Sequence, residues 1–367
     1  MNSLQQLRSA GQSIWLDFLR RGMITSAHLD LLRREEGVTG VTSNPTIFHK
    51  AISQGSEYDD AIHRLAAAGQ SKPLDIYYDL ALEDVRMAAD VFRPVYEETA
   101  GRDGFVSFEL DPGLAHDTAG SVASARALFS RISRPNTMIK VPGTTEGASA
   151  VEQLTTLGVN VNITLLFSVQ MYEQVALAYI AGLEARHRAG QSLDRIASVA
   201  SFFVSRVDSA VDPQLPDDSP IRGKVAIANS KLAYQRFGAI FSGDRWETLA
   251  RAGARPQRVL WASTGTKNPA YSDVLYVEEL VGPDSINTIP EKTLEAFRDH
   301  GRVRPTAVIE GTNEAETTLA QLASRGVSLD AVTGQLLEDG LKAFVTDLER
   351  LLHVIEQKLV EVRAGVS

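Results

Sequence analysis

A chain of 367 residues with 44% hydrophobic and 23% charged side chains can bury a large core and is no disordered segment. Its 37 basic against 46 acidic residues leave a formal charge of −9, which opposes sequence-independent binding to nucleic acid or to an anionic membrane surface. The absence of cysteine excludes disulfides, zinc-thiolate sites, cysteine-ligated iron-sulfur clusters and a thiol nucleophile. The polar run 2–8 is not a signal peptide, and no stretch reaches the ~18 to 20 apolar residues of a membrane span, so a cytoplasmic protein is expected. His28, His49, His63, His116, His187, His300 and His353 are scattered without a metal-ligand spacing, and no metal is expected.

In chain order, short apolar, β-branched runs end in small or polar residues and lead into amphipathic stretches, the pattern of βα units. The first two runs are residues 13–17 and 37–42. Residues 52–102 carry helical patterning around 61–68 and 75–96 and read as an elaborated helical connection. Runs at 104–110 and 137–141 follow, and then a helix opened by Gly143-Thr144-Thr145, with Ala148, Val151 and Leu154 on one face and Gly158 as its stop. The run 159–165 leads to a helix capped by Ser168, and the run 195–202 comes next. Residues 212–220, rich in proline and aspartate, predict a loop on the rim beyond the sixth strand. Runs at 258–263 and 285–289 complete a set of eight. Finally Leu337, Leu341, Phe344, Leu348, Leu352, Ile355 and Leu359 form one apolar stripe on a helix of roughly 20 residues or more. That helix is expected on the outside of the fold, or at a subunit interface of a homo-oligomer.

Eight strands interleaved with helices, without a G-x-G-x-x-G after any strand, fit an α/β fold of the (β/α)₈ TIM-barrel type with extra helices better than a doubly wound sheet. Residues 1–367 are expected to form one barrel domain, with the 52–102 connection and the C-terminal helix as additions.

Barrel active sites lie at the C-terminal ends of the strands. Lys140 sits there, inside the apolar run Thr137-Met138-Ile139-Lys140-Val141. An ordinary lysine amine, pKa ~10.4, is almost wholly protonated at pH 7, but a site that disfavours its charged form yields an amine able to attack a carbonyl and form a Schiff base. Pairing with a barrel carboxylate is the alternative reading. Other strand ends supply Asp17, Asn44, Glu109, Asn162 and Thr164, the last two on one side of their strand. Each alone could be a turn or capping residue. Together they offer an amine, two carboxylates and neutral hydrogen-bonding groups, which suits carbonyl chemistry on a polyhydroxylated substrate. Phosphate calls for fixed cations or helix-terminal amides. Ser201 to Arg206 and Ser263 to Asn268, with Lys267, offer hydroxyls, amides and cations, although Arg206 could instead pair with Asp208. The second segment lacks the spacing of a nucleotide-binding P-loop.

Val41-Thr42-Ser43-Asn44-Pro45-Thr46, Val106-Ser107-Phe108-Glu109-Leu110-Asp111, Ile139-Lys140-Val141-Pro142-Gly143-Thr144 and Asn160-Val161-Asn162-Ile163-Thr164-Leu165-Leu166-Phe167-Ser168 resemble, in order, the strand motifs of the transaldolase family. The resemblance implies a barrel that moves a dihydroxyacetone unit from sedoheptulose 7-phosphate to glyceraldehyde 3-phosphate, in the non-oxidative pentose phosphate pathway, without metal or organic cofactor. It implies that Lys140 is the Schiff-base lysine, Asp17 the acid/base of carbon-carbon cleavage, and Glu109 with Thr164 the pair that positions a water. Asn44 and Asn162 are implied as partners of the bound three-carbon unit, and Ser201 and Arg206 as phosphate ligands. Lys267 stands a little beyond the place where shorter members carry an arginine. An aldolase releasing free dihydroxyacetone and a non-catalytic sugar-phosphate-binding barrel are the alternatives.

Overall fold

The computed structural model describes residues 2–365, with side chains described through residue 361. Its sheet is a closed barrel, and every neighbouring pair of strands is parallel. The strands are β1 (Gln12–Leu16), β2 (Val38–Thr42), β3 (Val106–Glu109), β4 (Thr137–Pro142), β5 (Val161–Leu166), β6 (Ser198–Phe203), β7 (Arg258–Ala262) and β8 (Ser285–Ile289). All eight predicted runs become strands. The boundaries move where the backbone turns left-handed: Gly104 at φ 87° and Arg195 at φ 62° delay β3 and β6, and Ser263 at φ 55° ends β7. At these three places the left-handed residue interrupts the extended backbone.

Side chains at the strand ends start the next helices. Asn44 accepts from the Ile47 amide, Asp117 from Gly120, Thr144 from Gly147 and Ser168 from Met171. Each satisfies an amide that the first turn of a helix leaves orphaned. The expected 52–102 connection consists of Asp59–Ala67 and the 26-residue helix Pro73–Glu98, after the end of Pro45–Ser53. The predicted loop at 212–220 opens with a short 3₁₀ turn, Asp212–Gln214. Asp212 there is buried rather than solvated, accepting from the Gly223 amide at 3.1 Å and the Tyr271 hydroxyl at 2.7 Å.

The N-terminal end of the barrel is plugged by a polar cluster. Trp15 Nε1 donates to Asp103 Oδ1 at 2.8 Å, and Ser13 donates to the other oxygen. Arg258 donates from Nη1 to Ser13 Oγ and from Nη2 to the Arg102 carbonyl, both at 2.8 Å, with Asp103 3.8 Å from Nη2. Gly40 makes room for the indole, since a Cβ there would stand 2.6 Å from Trp15 Nε1 and 2.7 Å from the Phe105 carbonyl oxygen.

The C-terminal helix, Leu329–Gly365, corrects the expectation that it packs on the barrel's outside. It crosses the mouth at the C-terminal ends of the strands. Gly340 lies against Leu165 at the end of β5, Phe344 sits over Lys140, and Asp347 accepts a hydrogen bond from Thr46 just beyond β2. Farther along, Lys358 pairs with Asp59 at 2.5 Å. An apolar stripe requires a surface to bury it, and the surface here is the rim of the mouth together with the helix Pro45–Ser53. Among the described residues no helix is long and apolar enough to cross a membrane.

Candidate active site

Register places three of the singled-out residues side by side. Glu109 on β3 is level with Lys140 on β4, which is level with Asn162 on β5. Lys140 Nζ donates to Glu109 Oε2 at 2.9 Å and to the Ser43 carbonyl at 3.2 Å, and both ionisable side chains are 3% exposed. The alternative reading of Lys140 as a paired lysine is therefore met in part, because a carboxylate does face it. That pairing is incomplete. Glu109 Oε1 and Thr164 Oγ1 are both buried with no hydrogen-bond partner among the described residues, a condition shared with other side-chain atoms such as Gln12 Oε1 and Trp261 Nε1.

Asn162 is held at both ends of its amide. It donates to Ser107 Oγ at 3.0 Å and accepts from Ser201 Oγ at 2.7 Å. Ser201, expected at the phosphate, thus uses its single hydroxyl proton on Asn162 deep in the barrel. Asn44 caps the helix Pro45–Ser53 through Oδ1 at 2.9 Å, which leaves its Nδ2 hydrogens without a partner among the described residues.

Asp17 follows β1, anchored by its amide on the Ile289 carbonyl and by Thr42 Oγ1, which donates to Oδ1 at 3.1 Å. It is only partly exposed at the mouth. Burial pushes its carboxyl above the ordinary carboxylate range, against the opposing pull of Lys140, the Thr42 hydrogen bond, Arg206 and Lys267. Glu109 is also raised by burial, although Lys140 and Arg206 favour its charged form and Asp17 disfavours it. Burial lowers Arg206, while Asp17 and Glu109 act the other way. These mutual influences join Asp17, Glu109, Lys140 and Arg206 in one electrostatic field.

Arg206 does not pair with Asp208. Asp208 is occupied by the Ala226 amide at 2.8 Å and the Tyr276 hydroxyl at 2.9 Å. The Arg206 guanidinium instead lies 5.1 Å from the centre of the Phe203 ring and makes no ion pair among the described residues. Lys267 is exposed on the loop after β7, on the wall of a cavity of about 670 Å³ that Asp17, Ile47, Lys50 and Thr266 also line. Two cations thus stand near the mouth, as phosphate binding requires.

Sequence reasoning counted Phe344 in the apolar stripe without placing it over Lys140, and it passed over Gly340. Phe344 is buried, with its ring centre 6.0 Å from Lys140 Nζ. The available signal was a glycine one turn before Phe344, inside an otherwise apolar helical stripe. It also missed the Ser43 carbonyl and Ser107, whose partners belong to other strands. Among the described residues no cluster of histidine, aspartate and glutamate could hold a metal ion.

The chain matches the family model described as Transaldolase/Fructose-6-phosphate aldolase over residues 14–355. It is 47% identical over 365 residues to a protein named Transaldolase from Saccharopolyspora erythraea, covering 99% of each chain. A Transaldolase from Trichodesmium erythraeum is 44% identical over 373 residues, covering 98% of each chain. One from Thermobifida fusca is 47% identical over 361 residues, covering 97% of this chain and 98% of its own. An amine opposed by a carboxylate within a closed barrel, on a chain that aligns with these relatives almost end to end, therefore belongs to the transaldolase/fructose-6-phosphate aldolase family.

Proposed function

We propose that this chain is a transaldolase, transferring a dihydroxyacetone unit between phosphorylated sugars through a Schiff base on Lys140. The observation that carries the reading is the buried contact of Lys140 Nζ with Glu109 Oε2 at 2.9 Å, beside the unpartnered Glu109 Oε1 and Thr164 Oγ1. Glu109, raised by burial, is the better base for it and takes a proton from Nζ. The freed amine attacks the ketone carbon of the donor. The carbinolamine loses water to give a protonated imine, and Glu109 and Thr164 each have a polar atom with which to hold that water.

Asp17 then accepts the proton of the C4 hydroxyl, for which its raised carboxyl is suited. As the C3–C4 bond breaks, its electron pair moves into the imine. A neutral enamine remains on Lys140 and the aldehyde leaves. Asn162, fixed by Ser107 and Ser201, and the Asn44 amide hydrogen-bond the retained fragment. Arg206 and Lys267 take the phosphate, and Ser201 acts by positioning Asn162. Addition of an acceptor aldehyde reverses these steps. The chemistry needs no cofactor, and the whole chain is read as one cytoplasmic barrel domain.

Borohydride reduction in the presence of fructose 6-phosphate, followed by peptide mass mapping, tests this reading. A three-carbon adduct on Lys140 is the expected result, and labelling elsewhere or no labelling overturns it. A second reading, an aldolase that releases free dihydroxyacetone, is favoured by the family description, which names both activities. Product formation without an acceptor aldehyde distinguishes the two.

A further inference from the structure

The C-terminal helix presents an aromatic ring to the nitrogen on which the transaldolase reading turns. Phe344 is buried, its ring centre 6.0 Å from Lys140 Nζ. The helix is brought close by Gly340, one turn earlier on the same face. A Cβ at Gly340 would stand 2.8 Å from Leu165 Cδ2 and 3.5 Å from an Arg206 guanidinium nitrogen. Glycine inside a helix is destabilising relative to alanine, and what it permits here is close approach to the ends of β5 and β6. Leu165 meets it from a left-handed backbone, φ 60°, at a register irregularity immediately after Thr164. On the far side, Thr46 and Asp347 join the helix to the segment that carries Asn44. The helix is thus fastened on both sides of Lys140, with an apolar ring between.

We infer that Phe344 is a specificity-determining residue that holds the enzyme to transfer by keeping water and solvent protons off the enamine. The inference rests on the transaldolase reading and extends it. Release of free dihydroxyacetone needs two events that transfer does not. The enamine carbon must first take a proton, which regenerates the imine cation. A water must then add to the imine carbon, after which the C–N bond breaks and Lys140 recovers its amine. The water consumed balances the one lost when the imine formed, so the net reaction is cleavage of ketose phosphate to dihydroxyacetone and aldehyde. A ring of this size beside Nζ occupies the volume from which both proton and water would arrive, while the acceptor enters through the polar side lined by Asp17 and Lys267.

The test compares Phe344→Ala and Phe344→Leu with wild type. Leu351→Ala serves as a control for lost packing on the same helix, since Leu351 is fully buried. Phe344→Leu keeps most of the apolar volume and provides the test if the alanine variant does not fold. Fructose 6-phosphate is supplied with and without erythrose 4-phosphate, and free dihydroxyacetone and sedoheptulose 7-phosphate are both measured. The expected result is that the ratio of release to transfer rises about tenfold in Phe344→Ala and less in Phe344→Leu, a shift of one decade in relative barrier, and stays at the wild-type value in Leu351→Ala. A purely structural role would lower both products together and leave the ratio alone. An unchanged ratio in a folded Phe344 variant that still yields the reduced adduct on Lys140 overturns the inference and leaves the transaldolase reading standing. Absence of that adduct from the wild-type enzyme overturns both.

Discussion

The two ends of the barrel each bury a cation against a carboxylate, and they do so differently. At the N-terminal end Asp103 accepts from Trp15, Ser13 and the Gly104 amide, and Arg258 donates to Ser13 and the Arg102 carbonyl. Its groups are saturated by neighbours that hold them still. At the C-terminal end Lys140 faces Glu109, but Glu109 Oε1 and Thr164 Oγ1 have no partner among the described residues. A buried charge with its hydrogen bonds made is held in place, whereas an unpartnered buried oxygen leaves a hydrogen-bonding site to be filled. Within these two ion pairs, the C-terminal carboxylate keeps an oxygen without a partner and the N-terminal one does not.

Exchanging the cations breaks this comparison most sharply. Lys140→Arg keeps a positive charge opposite Glu109 but removes the nucleophile. Transfer activity is expected to fall at least about 10⁴-fold, as when other covalent nucleophiles are removed, while cooperative melting persists. Retained transfer activity in this variant would refute the mechanism. At the other end Arg258→Met leaves Asp103 without its cation. Denaturant unfolding should show a loss of about 3 to 5 kcal/mol, with turnover per folded molecule preserved. Were turnover to fall while stability held, the plug would have a catalytic part that the comparison denies it.

Titration sharpens the contrast further. Burial raises Asp17 and Glu109 above their ordinary values of 3.8 and 4.5. Their basic forms are lost as pH falls through those raised values, so kcat/KM for donor cleavage should decline on the acid side before ordinary carboxylates protonate. Asp208, outside the reacting cluster, is pushed up to about 7, chiefly by burial. Between 3.8 and about 7 the folded chain keeps a proton on this carboxyl that the unfolded chain has released. Stability therefore falls as pH rises through that window, by at most about 1.4 kcal/mol per pH unit. Unfolding of Asp208→Asn across pH 4 to 8 should show a shallower slope than wild type. The smallest expected effect is at Lys267, which is exposed. Lys267→Ala should raise KM for a phosphorylated donor about tenfold, and added salt should narrow the difference.

Much of this was legible from residue order. The run 285–289 coincides with β8, and the other strands lie within a few residues of their periodic runs. Errors fell where single residues turn left-handed, as at Arg195 and Ser263, because neither residue type announces that geometry. Lys140 stood out because a charge within an apolar strand demands a partner, and Asp17, Glu109 and Arg206 do share its field. The position of the C-terminal helix was not legible. Its stripe states that one face is buried, not which surface buries it. The partner of Ser201 was not legible either. It was expected with Arg206 at a phosphate, and its hydroxyl donates to Asn162 on the neighbouring strand.

The roof over Lys140 lies far along the chain from the strands it covers, since residues 290–339 intervene between β8 and Gly340. All eight strands therefore leave the ribosome before the segment that carries Phe344, by several seconds at about 5 to 20 residues per second. On the inference drawn for Phe344, the selectivity of the site is acquired last, when this late helix docks.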